Sequence, residues 1–428
     1  MQLTVEKLVY GGDGLARLPA DEHGPGKAVF VPFVLAEEEI EASLVEQKPG
    51  FARARAEQIL QPSRYRVAPP CPYFQRCGGC HYQHASYEHQ LEIKAAILKE
   101  NLRRIAKLEL PTNLSIRPSP AWNYRNRTRL RVQSLLEFAL GYYKFGSHEL
   151  LPVEQCPISS PLINRAIAAF WNLGRAGKIP AGIQEIEFFA NADDSQLLVE
   201  AYVASDDDGI SGWPEEVRSG LPEVAGIVVF RNAMRAGMQP ERLAISGAAQ
   251  LNYQTARATY RVSAGSFFQT NRHLTDELVQ IVTEGRSGRT ALDLYAGVGL
   301  FSSVLNREFE RVIAVESSPT SHADLLYNSA SNVRAVRATT EQYLNKVGGK
   351  LKVDLVVVDP PRSGLGEGVI RGLVALGAPR ITYVSCDPAT LARDLRALTS
   401  GGYGLEQVQL VDLFPQTYHL ESVFQLVK

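Results

Sequence analysis

The sequence predicts an α/β chain in which a Rossmann-like carboxyl-terminal domain follows a small β-barrel and a β-rich middle region. Three observations predict this fold class. Apolar strands alternate with helix-length connections from about residue 274 onward, residues 1 to about 62 hold short β-rich runs between glycine turns, and residues from about 124 to 263 are mostly strand-like. We therefore divide the chain into residues 1–62, 63–263 and 264–428.

The carboxyl-terminal region contains five apolar strands, with the sequences ALDLYA, RVIAVE, NVRAVRA, DLVVVD and RITYVS. Alternation of such strands with helices indicates a parallel sheet that is covered on both faces. Two later stretches, LEQVQLVDLF and SVFQLV, predict a closing antiparallel hairpin. Ligands bind beyond the carboxyl ends of the strands in sheets of this kind, so the functional residues are expected there.

The first two regions predict a barrel and a helix-bearing β domain. Residues 88–106 place apolar side chains at helical spacing, and we expect this helix to pack on the carboxyl-terminal domain. A second helix is predicted at Pro161–Leu173. The barrel is predicted from strand-like runs at Leu3–Val9, Ala28–Val34 and Glu39–Val45.

Composition narrows the class of protein without identifying it. Of 428 residues, 45% are hydrophobic and 21% are charged, which is ordinary for a globular chain. A net charge of −1 does not exclude nucleic-acid binding, because binding needs only a local basic surface. No apolar run reaches the ~18 residues of a membrane span, and the first residues lack a secretory signal pattern. We expect a cytoplasmic monomer without a membrane partner.

The ends of the first two carboxyl-terminal strands predict a cofactor site. Strand one runs into a D-x-x-x-G-x-G turn that begins at Asp293 and contains Gly297 and Gly299, where a ligand can approach the backbone closely. Strand two ends in Glu316, which is placed to accept hydrogen bonds from ribose hydroxyls. The turn lacks the dinucleotide pattern G-x-G-x-x-G and favours S-adenosylmethionine over NAD. A tight turn beside a solvated Glu316 is the alternative.

The ends of strands four and five predict covalent catalysis on a pyrimidine. Strand four runs into Asp359-Pro-Pro-Arg362, and strand five runs into Ser-Cys386-Asp-Pro. A thiolate that adds to C6 of uracil makes C5 nucleophilic toward a methyl donor, and a base must then remove the C5 proton. Cys386 suits the first role if neighbouring cations lower its pKa. Glu421 is the candidate base and His419 the second candidate, whereas an inert buried thiol and an exposed carboxylate are the alternatives.

These motifs carry a family resemblance. The segments SFFQTN (266–271), DLYAGVGLFS, DPPRSG, SCDP and HLES resemble, in this order, the RNA 5-methyluridine methyltransferases, which are class I S-adenosylmethionine-dependent enzymes. The resemblance implies that Cys386 is the nucleophile and Glu421 the base. It also implies that the cofactor and target base are lined by Gln269, Tyr295, Gly297, Glu316, Thr339 and Asp359, with Thr339 the loosest match.

The cysteine residues extend the resemblance. Three of the five cysteines crowd into ten residues, which in a reducing compartment indicates metal or cluster ligation rather than disulfides. The set Cys71, Cys77, Cys80 and Cys156 resembles the four-iron four-sulfur site of many family members, with a structural role. Zinc remains open, because four thiolates suit either. The amino-terminal barrel resembles the TRAM domain, an oligonucleotide-binding barrel.

Two groups of arginines are candidate RNA contacts. A strip at period two on one predicted strand would suit phosphates, although a strand face with acidic cross-strand partners is equally compatible. The first group comprises Arg53, Arg55, Arg64 and Arg66 near the barrel exit, and the strip comprises Arg125, Arg127, Arg129 and Arg131.

The predicted function is methylation of C5 of a uridine in RNA, with 23S ribosomal RNA favoured and transfer RNA the alternative. The target base should be flipped out or single-stranded, because its reacting atoms lie inside a stacked helix. Two other classes compete with this prediction. A methyltransferase of another acceptor would usually carry an aromatic residue where Arg362 stands, and a non-catalytic RNA-binding protein would have lost the catalytic set.

Overall fold

The computed structural model describes residues 1–19, 26–134, 137–204, 210, 212–232 and 240–428. Its amino-terminal part consists of strands β1 Gln2–Thr4, β2 Lys7–Leu8, β3 Asp13–Arg17, β4 Ala28–Pro32, β5 Glu39–Gln47 and β6 Phe51–Gln61.

These six strands form one curled sheet in the order β1-β5-β6-β4-β3-β2. The first extended segment pairs with both ends of the sheet, because β1 lies on β5 while β2 lies on β3. Between them, the Val5 N–H donates to the Glu38 carbonyl and the Glu6 N–H donates to the Leu15 carbonyl. The two sheet ends therefore meet along this segment, around a buried core that includes Val29 and Ile40.

The middle part contains α1 Tyr87–Asn101, which continues in a π-helical turn at Leu102–Ala106, and then β7 Ser115–Arg117, β8 Arg127–Gln133, β9 Ala139–Tyr143, β10 Leu150–Pro152, α2 Pro161–Arg175, β11 Ile183–Ala190, β12 Leu197–Val203, α3 Trp213–Gly220, β13 Val224–Arg231, β14 Glu241–Gly247, β15 Gln250–Gln254 and β16 Thr259–Ser263. A seven-stranded sheet runs in the order β10-β9-β8-β11-β12-β13-β14. Helix α2 covers it with Ile167 and Phe170, as the apolar spacing of its sequence requires.

The carboxyl-terminal part contains α4 Thr275–Thr283, β17 Gly288–Leu294, α5 Ser302–Leu305, β18 Phe309–Glu316, α6 Pro319–Asn328, β19 Val333–Arg337, α7 Thr340–Val347, a 3₁₀ turn at Gly348–Lys350, β20 Leu355–Val358, α8 Gly366–Leu376, β21 Arg380–Ser385, α9 Pro388–Ser400, β22 Gly404–Val411 and β23 Glu421–Val427. The sheet order is β19-β18-β17-β20-β21-β23-β22-β7. Strands β17 to β21 are parallel and β23 is antiparallel to both of its neighbours.

This sheet is the Rossmann-like core that the alternating pattern predicts. All four residues of β20 are buried, as expected of a central parallel strand covered on both faces. Helix α9 begins directly after β21, where the Asp387 carboxylate accepts hydrogen bonds from the Ala389 and Thr390 N–H groups. Short strand-to-helix connections of this kind keep the functional side chains at one edge.

Two elements of the middle sequence lie in this carboxyl-terminal layer. Strand β7 pairs in parallel with β22 and becomes the edge of the sheet. Helix α1 shares a hydrophobic core with α9, through residues that include Leu98 and Leu395. Among the described residues, none of the helices has the length and apolar character that crossing a membrane requires.

Candidate active site

The carboxyl ends of four parallel strands meet at one edge of the sheet. Strands β17, β18, β20 and β21 lead into Tyr295, Glu316, Asp359 and Cys386, respectively. The neighbouring strands pair in register, with Leu294 opposite Val358 and Val358 opposite Tyr383. The predicted residues of the strand ends are therefore brought together.

The turn after β17 and the end of β18 form one side of a crevice. Tyr295 and Gly297 have positive φ angles of 62° and 56°, so the chain bends sharply after β17. The Gly297 N–H donates to the Glu316 carboxylate at 2.9 Å, and the Ser318 N–H donates to its other oxygen at 2.6 Å. Glu316 is thus held in one orientation at the mouth of the crevice.

A cavity of about 370 Å³ lies here, lined by Tyr295, Glu316 and Thr339 among others. Thr339 is the N-cap of α7, where its hydroxyl accepts from the Gln342 N–H and the Gln342 side chain returns a bond to the Thr339 N–H. Thr340 and Glu341 line the same cavity and were missed in the sequence analysis. Their position at the start of α7, shortly after the end of β19, could have identified them from the sequence.

Two carboxyl groups with raised pKa values lie at the ends of β17 and β20: Asp293, which is fully buried, and Asp359, which is partly exposed. Asp293 accepts hydrogen bonds from the Ser302 N–H and hydroxyl, which fixes the turn. Burial raises the pKa of Asp293 to about 7. Burial and then the charge of Asp293 raise the pKa of Asp359 to about 7 as well. Both shifts have the same direction, because burial disfavours the charged form of a carboxyl group.

The strand register sets Cys386 beside Glu421. Ser385 on β21 is the partner of Ser422 on the antiparallel strand β23. Cys386 follows the first of these residues and Glu421 precedes the second, so the thiol and the carboxyl group occupy facing positions. Cys386 is partly exposed, whereas Glu421 is 5% exposed.

The pKa of Cys386 is shifted upward, whereas the expectation from sequence was a thiol whose pKa is lowered by cations. Burial raises the pKa of Cys386 to about 12, and the Glu421 and Asp359 carboxylates add to this increase while Arg362 opposes it. Arg362 is a neighbouring cation of the kind expected, but burial outweighs its effect and the carboxyl groups add to that of burial, so the pKa is raised rather than lowered. Burial and Asp359 likewise raise the pKa of Glu421 well above its usual range, and Arg362 opposes that shift.

His419 lies against Arg362 in the same site. The Arg362 guanidinium donates to His419 Nε2 at 3.3 Å. Burial and then the charge of Arg362 lower the pKa of His419 to about 3, so the ring is neutral and weakly basic. A proton acceptor for the site is therefore better sought in Glu421 than in His419.

Gln269 lies on a segment that packs beside the loop between β22 and β23. Its carbonyl accepts a hydrogen bond from the Asn126 side chain at 3.1 Å. Two residues later, the Asn271 side chain donates to the Leu413 carbonyl at 3.0 Å. The SFFQTN segment and the loop that leads to Glu421 are thus joined directly.

The four remaining cysteines gather around a second cavity. Cys71, Cys77, Cys80 and Cys156 line a space of about 60 Å³ together with Arg125 and Gln83. Burial raises the pKa of the Cys77 thiol to about 11. Arg125 Nε and Gln83 Oε1 are buried without a hydrogen-bond partner among the described residues. Among the residues that the structure describes, no group of three or more His, Cys, Asp or Glu side chains is arranged to hold a single metal ion.

The predicted arginine strip is neutralised by neighbouring strands. Its members on β8 pair with carboxylates: Arg127 with Glu187, Arg129 with Glu185 and Glu187, and Arg131 with Glu185. The alternative of acidic cross-strand partners therefore describes this face, and Arg125 lines the cysteine cavity instead.

The arginines near the barrel exit also have neighbours. Three of them meet carboxylates and one lies over an aromatic ring: Arg53 meets Asp13 and Glu46, Arg55 meets Glu57, Arg66 meets Glu38, and Arg64 lies over Tyr65.

Comparison with solved structures identifies the class of the fold. The crystal structure of Pyrococcus abyssi tRNA (uracil-54, C5)-methyltransferase in complex with S-adenosyl-L-homocysteine superposes with a TM-score of 0.77 at 24% identity, over 100% of both chains. Together with the strand order, this likeness shows that the carboxyl-terminal part has the Rossmann-like fold of methyltransferases.

Sequence comparisons identify the family. The family model described as tRNA (Uracil-5-)-methyltransferase matches residues 86–428. An uncharacterized RNA methyltransferase of Aquifex aeolicus (strain VF5) is 36% identical, with 99% of this chain and 97% of the relative covered. A second uncharacterized RNA methyltransferase, from Caldanaerobacter subterraneus subsp. tengcongensis, is 31% identical, with 99% of this chain and 96% of the relative covered. The chain belongs to the tRNA (uracil-5-)-methyltransferase family and is an RNA methyltransferase.

Proposed function

We propose that this protein transfers a methyl group from S-adenosylmethionine to C5 of a uridine in RNA, with Cys386 as the covalent nucleophile and Glu421 as the base. The observation that carries the proposal is the register of β21 and β23, in which Ser385 pairs with Ser422, so that Cys386 and Glu421 directly adjoin this pair. The Glu421 carboxylate also contributes to the raised pKa of Cys386, which supports their proximity. This pairing supplies both groups that a C5 methylation needs.

The residues act in sequence on the pyrimidine. Cys386 Sγ, once deprotonated, bonds to C6, and the electron pair displaced from the C5–C6 double bond makes C5 nucleophilic. The cofactor supplies an electrophilic methyl group, which C5 takes up while the sulfonium becomes a thioether. Glu421 then removes the C5 proton, the double bond reforms, and the C6–Sγ bond breaks to return the thiolate. The raised pKa makes the ionised Glu421 carboxylate a stronger proton acceptor than an exposed glutamate.

The proposed binding site of the cofactor is the crevice beside the ends of β17 and β18. In the proposal Glu316 binds ribose hydroxyls, the Gly297 turn passes close to the cofactor, and Tyr295 and Thr339 line its pocket, which is supported by the shared cavity of about 370 Å³. Asp359 and Gln269 face the target base and the reacting end of the cofactor. An amide that both donates and accepts suits a uracil edge.

A trapping experiment tests the nucleophile and the base. RNA containing 5-fluorouridine, incubated with S-adenosylmethionine and the full-length protein, should form a covalent adduct that survives denaturation, because fluorine at C5 cannot be removed as a proton. Cys386→Ala should abolish the adduct. Glu421→Gln should form an adduct even with ordinary uridine and lower methyl turnover by at least 100-fold, within the usual range for loss of an acid or base. An adduct that persists in Cys386→Ala would refute the assignment.

The RNA substrate has two candidates within this proposal. The resemblance to family members that combine a TRAM-like barrel with a cluster favours 23S ribosomal RNA, whereas the solved relative from Pyrococcus abyssi is a tRNA (uracil-54, C5)-methyltransferase. Transfer of a radiolabelled methyl group to purified, unmodified 23S ribosomal RNA and tRNA separates the two. We propose ribosomal RNA, and labelling of tRNA alone would refute that choice.

We further propose that Cys71, Cys77, Cys80 and Cys156 hold a four-iron four-sulfur cluster with a structural role. The donor set fits, because four thiols line one cavity, and the buried Arg125 Nε in its wall would offset the negative charge of thiolate ligands. Anaerobically purified protein should be brown and contain iron. Cys80→Ala should lose the colour, Cys386→Ala should keep it, and a colourless zinc-loaded protein would overturn the choice of metal.

The amino-terminal sheet is proposed to be a TRAM-like RNA-binding module. A cleft of about 820 Å³ beside it is lined by Phe30, Phe33, Arg53 and Arg55, and also by the Glu46 and Glu57 carboxylates that pair with these arginines. In the proposal, bases of single-stranded RNA stack on the rings and phosphates replace the carboxylates on the arginines. The proposed division at residues 62 and 263 then separates an RNA-binding, a cluster-bearing and a catalytic region, in a protein that we propose to be a cytoplasmic monomer.

A further inference from the structure

A tyrosine of the amino-terminal sheet reaches the proposed nucleophile. Tyr10 lies in the turn between β2 and β3, and its hydroxyl donates to the Cys386 carbonyl at 3.3 Å, across 376 positions of sequence. Burial, and then the Asp387 carboxylate that this hydroxyl also faces, raise the pKa of Tyr10. Tyr10 therefore stays a neutral donor and touches the backbone of the loop that carries the thiol.

The turn is shaped to bring Tyr10 to this place. Gly11 and Gly12 have φ angles of 110° and 96°, which side chains other than glycine rarely adopt. A Cβ atom on Gly12 would meet the His81 side chain at 3.0 Å, so the turn lies directly against the segment that follows Cys80. The amino-terminal sheet is thereby fitted closely to the rest of the protein beside the active site.

Tyr10 also contacts the loop that leads to Glu421. Its ring meets the Tyr418 ring edge-on, at 5.4 Å between centroids. Tyr418 in turn packs against His81 at 4.6 Å and His419 at 4.2 Å. Tyr10 thus contacts both catalytic loops, one through its hydroxyl and the other through its ring.

The loop of Tyr418 is fixed from the opposite side. The Gln416 carbonyl accepts hydrogen bonds from the His81 and Tyr82 N–H groups at 2.8 and 3.0 Å. The Gln90 side chain binds the Gln416 N–H and side-chain oxygen.

The Cys386 loop is held by the Ser385 hydroxyl, which donates to the Asp387 carbonyl, and by the Asp387 cap of α9. The Tyr10 hydroxyl adds a bond that joins this loop to the amino-terminal sheet.

We propose that Tyr10 is a positioning residue for the covalent step, through which the amino-terminal sheet holds the Cys386 loop in register with the loop of Glu421. The inference rests on the proposed function. A sheet that is proposed to bind RNA would then also set the geometry in which the thiol meets C6, so that docking of the sheet and formation of the adduct depend on each other.

Two substitutions of Tyr10 separate the effect of its hydroxyl from the effect of its ring. Tyr10→Phe removes the bond to the Cys386 carbonyl and keeps the packing on Tyr418, whereas Tyr10→Ala removes both. Tyr327→Phe is the matched control, because Tyr327 is an exposed tyrosine on α6. The rate of adduct formation with 5-fluorouridine RNA is measured in single turnover, at saturating RNA and cofactor, on the full chain purified anaerobically. RNA affinity, cofactor affinity and thermal midpoint are measured beside it.

Tyr10→Phe should slow adduct formation about 3- to 10-fold, the effect of one lost hydrogen bond. RNA affinity, cofactor affinity and thermal midpoint should stay unchanged, Tyr10→Ala should be slower still, and Tyr327→Phe should match the wild type. Three outcomes overturn the proposal: a wild-type rate in Tyr10→Phe, a loss confined to RNA affinity, or a loss matched by a lower thermal midpoint. If the wild-type protein itself forms no adduct, the proposed function fails rather than this inference.

Discussion

Lys94 offers the sharpest test of how the active-site loop is supported. Its side chain and that of Asp412 are fully buried, with Lys94 Nζ at 2.5 Å from the Asp412 carboxylate. Lys94 also donates to the Phe414 carbonyl at 2.9 Å. The second Asp412 oxygen accepts from the Tyr87 hydroxyl at 2.9 Å. Helix α1 therefore holds the start of the loop that ends at Glu421.

Replacing Lys94 by methionine keeps most of the volume and leaves Asp412 as an unpaired buried charge. Loss of one partner from such a pair costs about 3–5 kcal/mol. With about 2–4 °C lost per kcal/mol, the thermal midpoint of the carboxyl-terminal region should fall by about 6–20 °C. The control is Lys178→Met, because Lys178 and Glu216 form an ion pair in which both side chains are 52% exposed. That change should cost no more than about 1 kcal/mol.

Calorimetry on both variants gives the comparison, and the double variant Lys94→Met with Asp412→Leu completes it. Removal of both charges should recover part of the loss, since no buried charge is then left unpaired. Adduct formation should be slowed in the single variant, because the loop is no longer held. Equal midpoints for Lys94→Met and Lys178→Met would refute the reasoning that this pair anchors the loop.

The other predictions concern the catalytic centre. Because the pKa of Cys386 is raised to about 12, the thiolate fraction should increase with pH, and the adduct rate should rise up to about tenfold per unit between pH 6.5 and 8.5. A flat profile would contradict attack by a thiolate that is in equilibrium with solvent. Glu316→Ala should weaken cofactor binding about 10- to 100-fold, the effect of losing a charged hydrogen-bond acceptor. Calorimetric titration measures it, and Glu310→Ala, an exposed change on the same strand, should have no effect.

The parts of the fold that repeat a simple pattern were predictable from sequence. Strands β18, β20 and β21 contain apolar runs that alternate with helices, so the parallel sheet and its functional ends follow from the pattern. Strand β7 was not predictable, because three residues carry too little pattern and its partner β22 lies far along the chain. The hydrogen bond between Tyr10 and Cys386 was not predictable either, because these two residues also lie far apart in the sequence.

The charges of the site were harder to predict than its residues. The period of two along β8 identified a strand correctly, yet the use of its arginines depended on Glu185 and Glu187 of β11, whose pairing the local sequence does not specify. The pKa of Cys386 was misjudged for a similar reason. Burial raises it most, and the Glu421 and Asp359 carboxyl groups, which come from two other strand ends, add to the shift, so only the assembled sheet creates this environment.

The edge strand β7 also has a consequence for how the protein is made. Arg117 leaves the ribosome 292 positions before Gln409, the residue that its side chain binds. At ordinary rates of synthesis the nascent chain waits on the order of 15–60 s for that partner. During this time β7 lacks its partner strand β22. Helix α1 likewise lacks Asp412, the residue with which Lys94 will pair. Pairing of this edge strand is therefore a late event in the synthesis of the catalytic sheet.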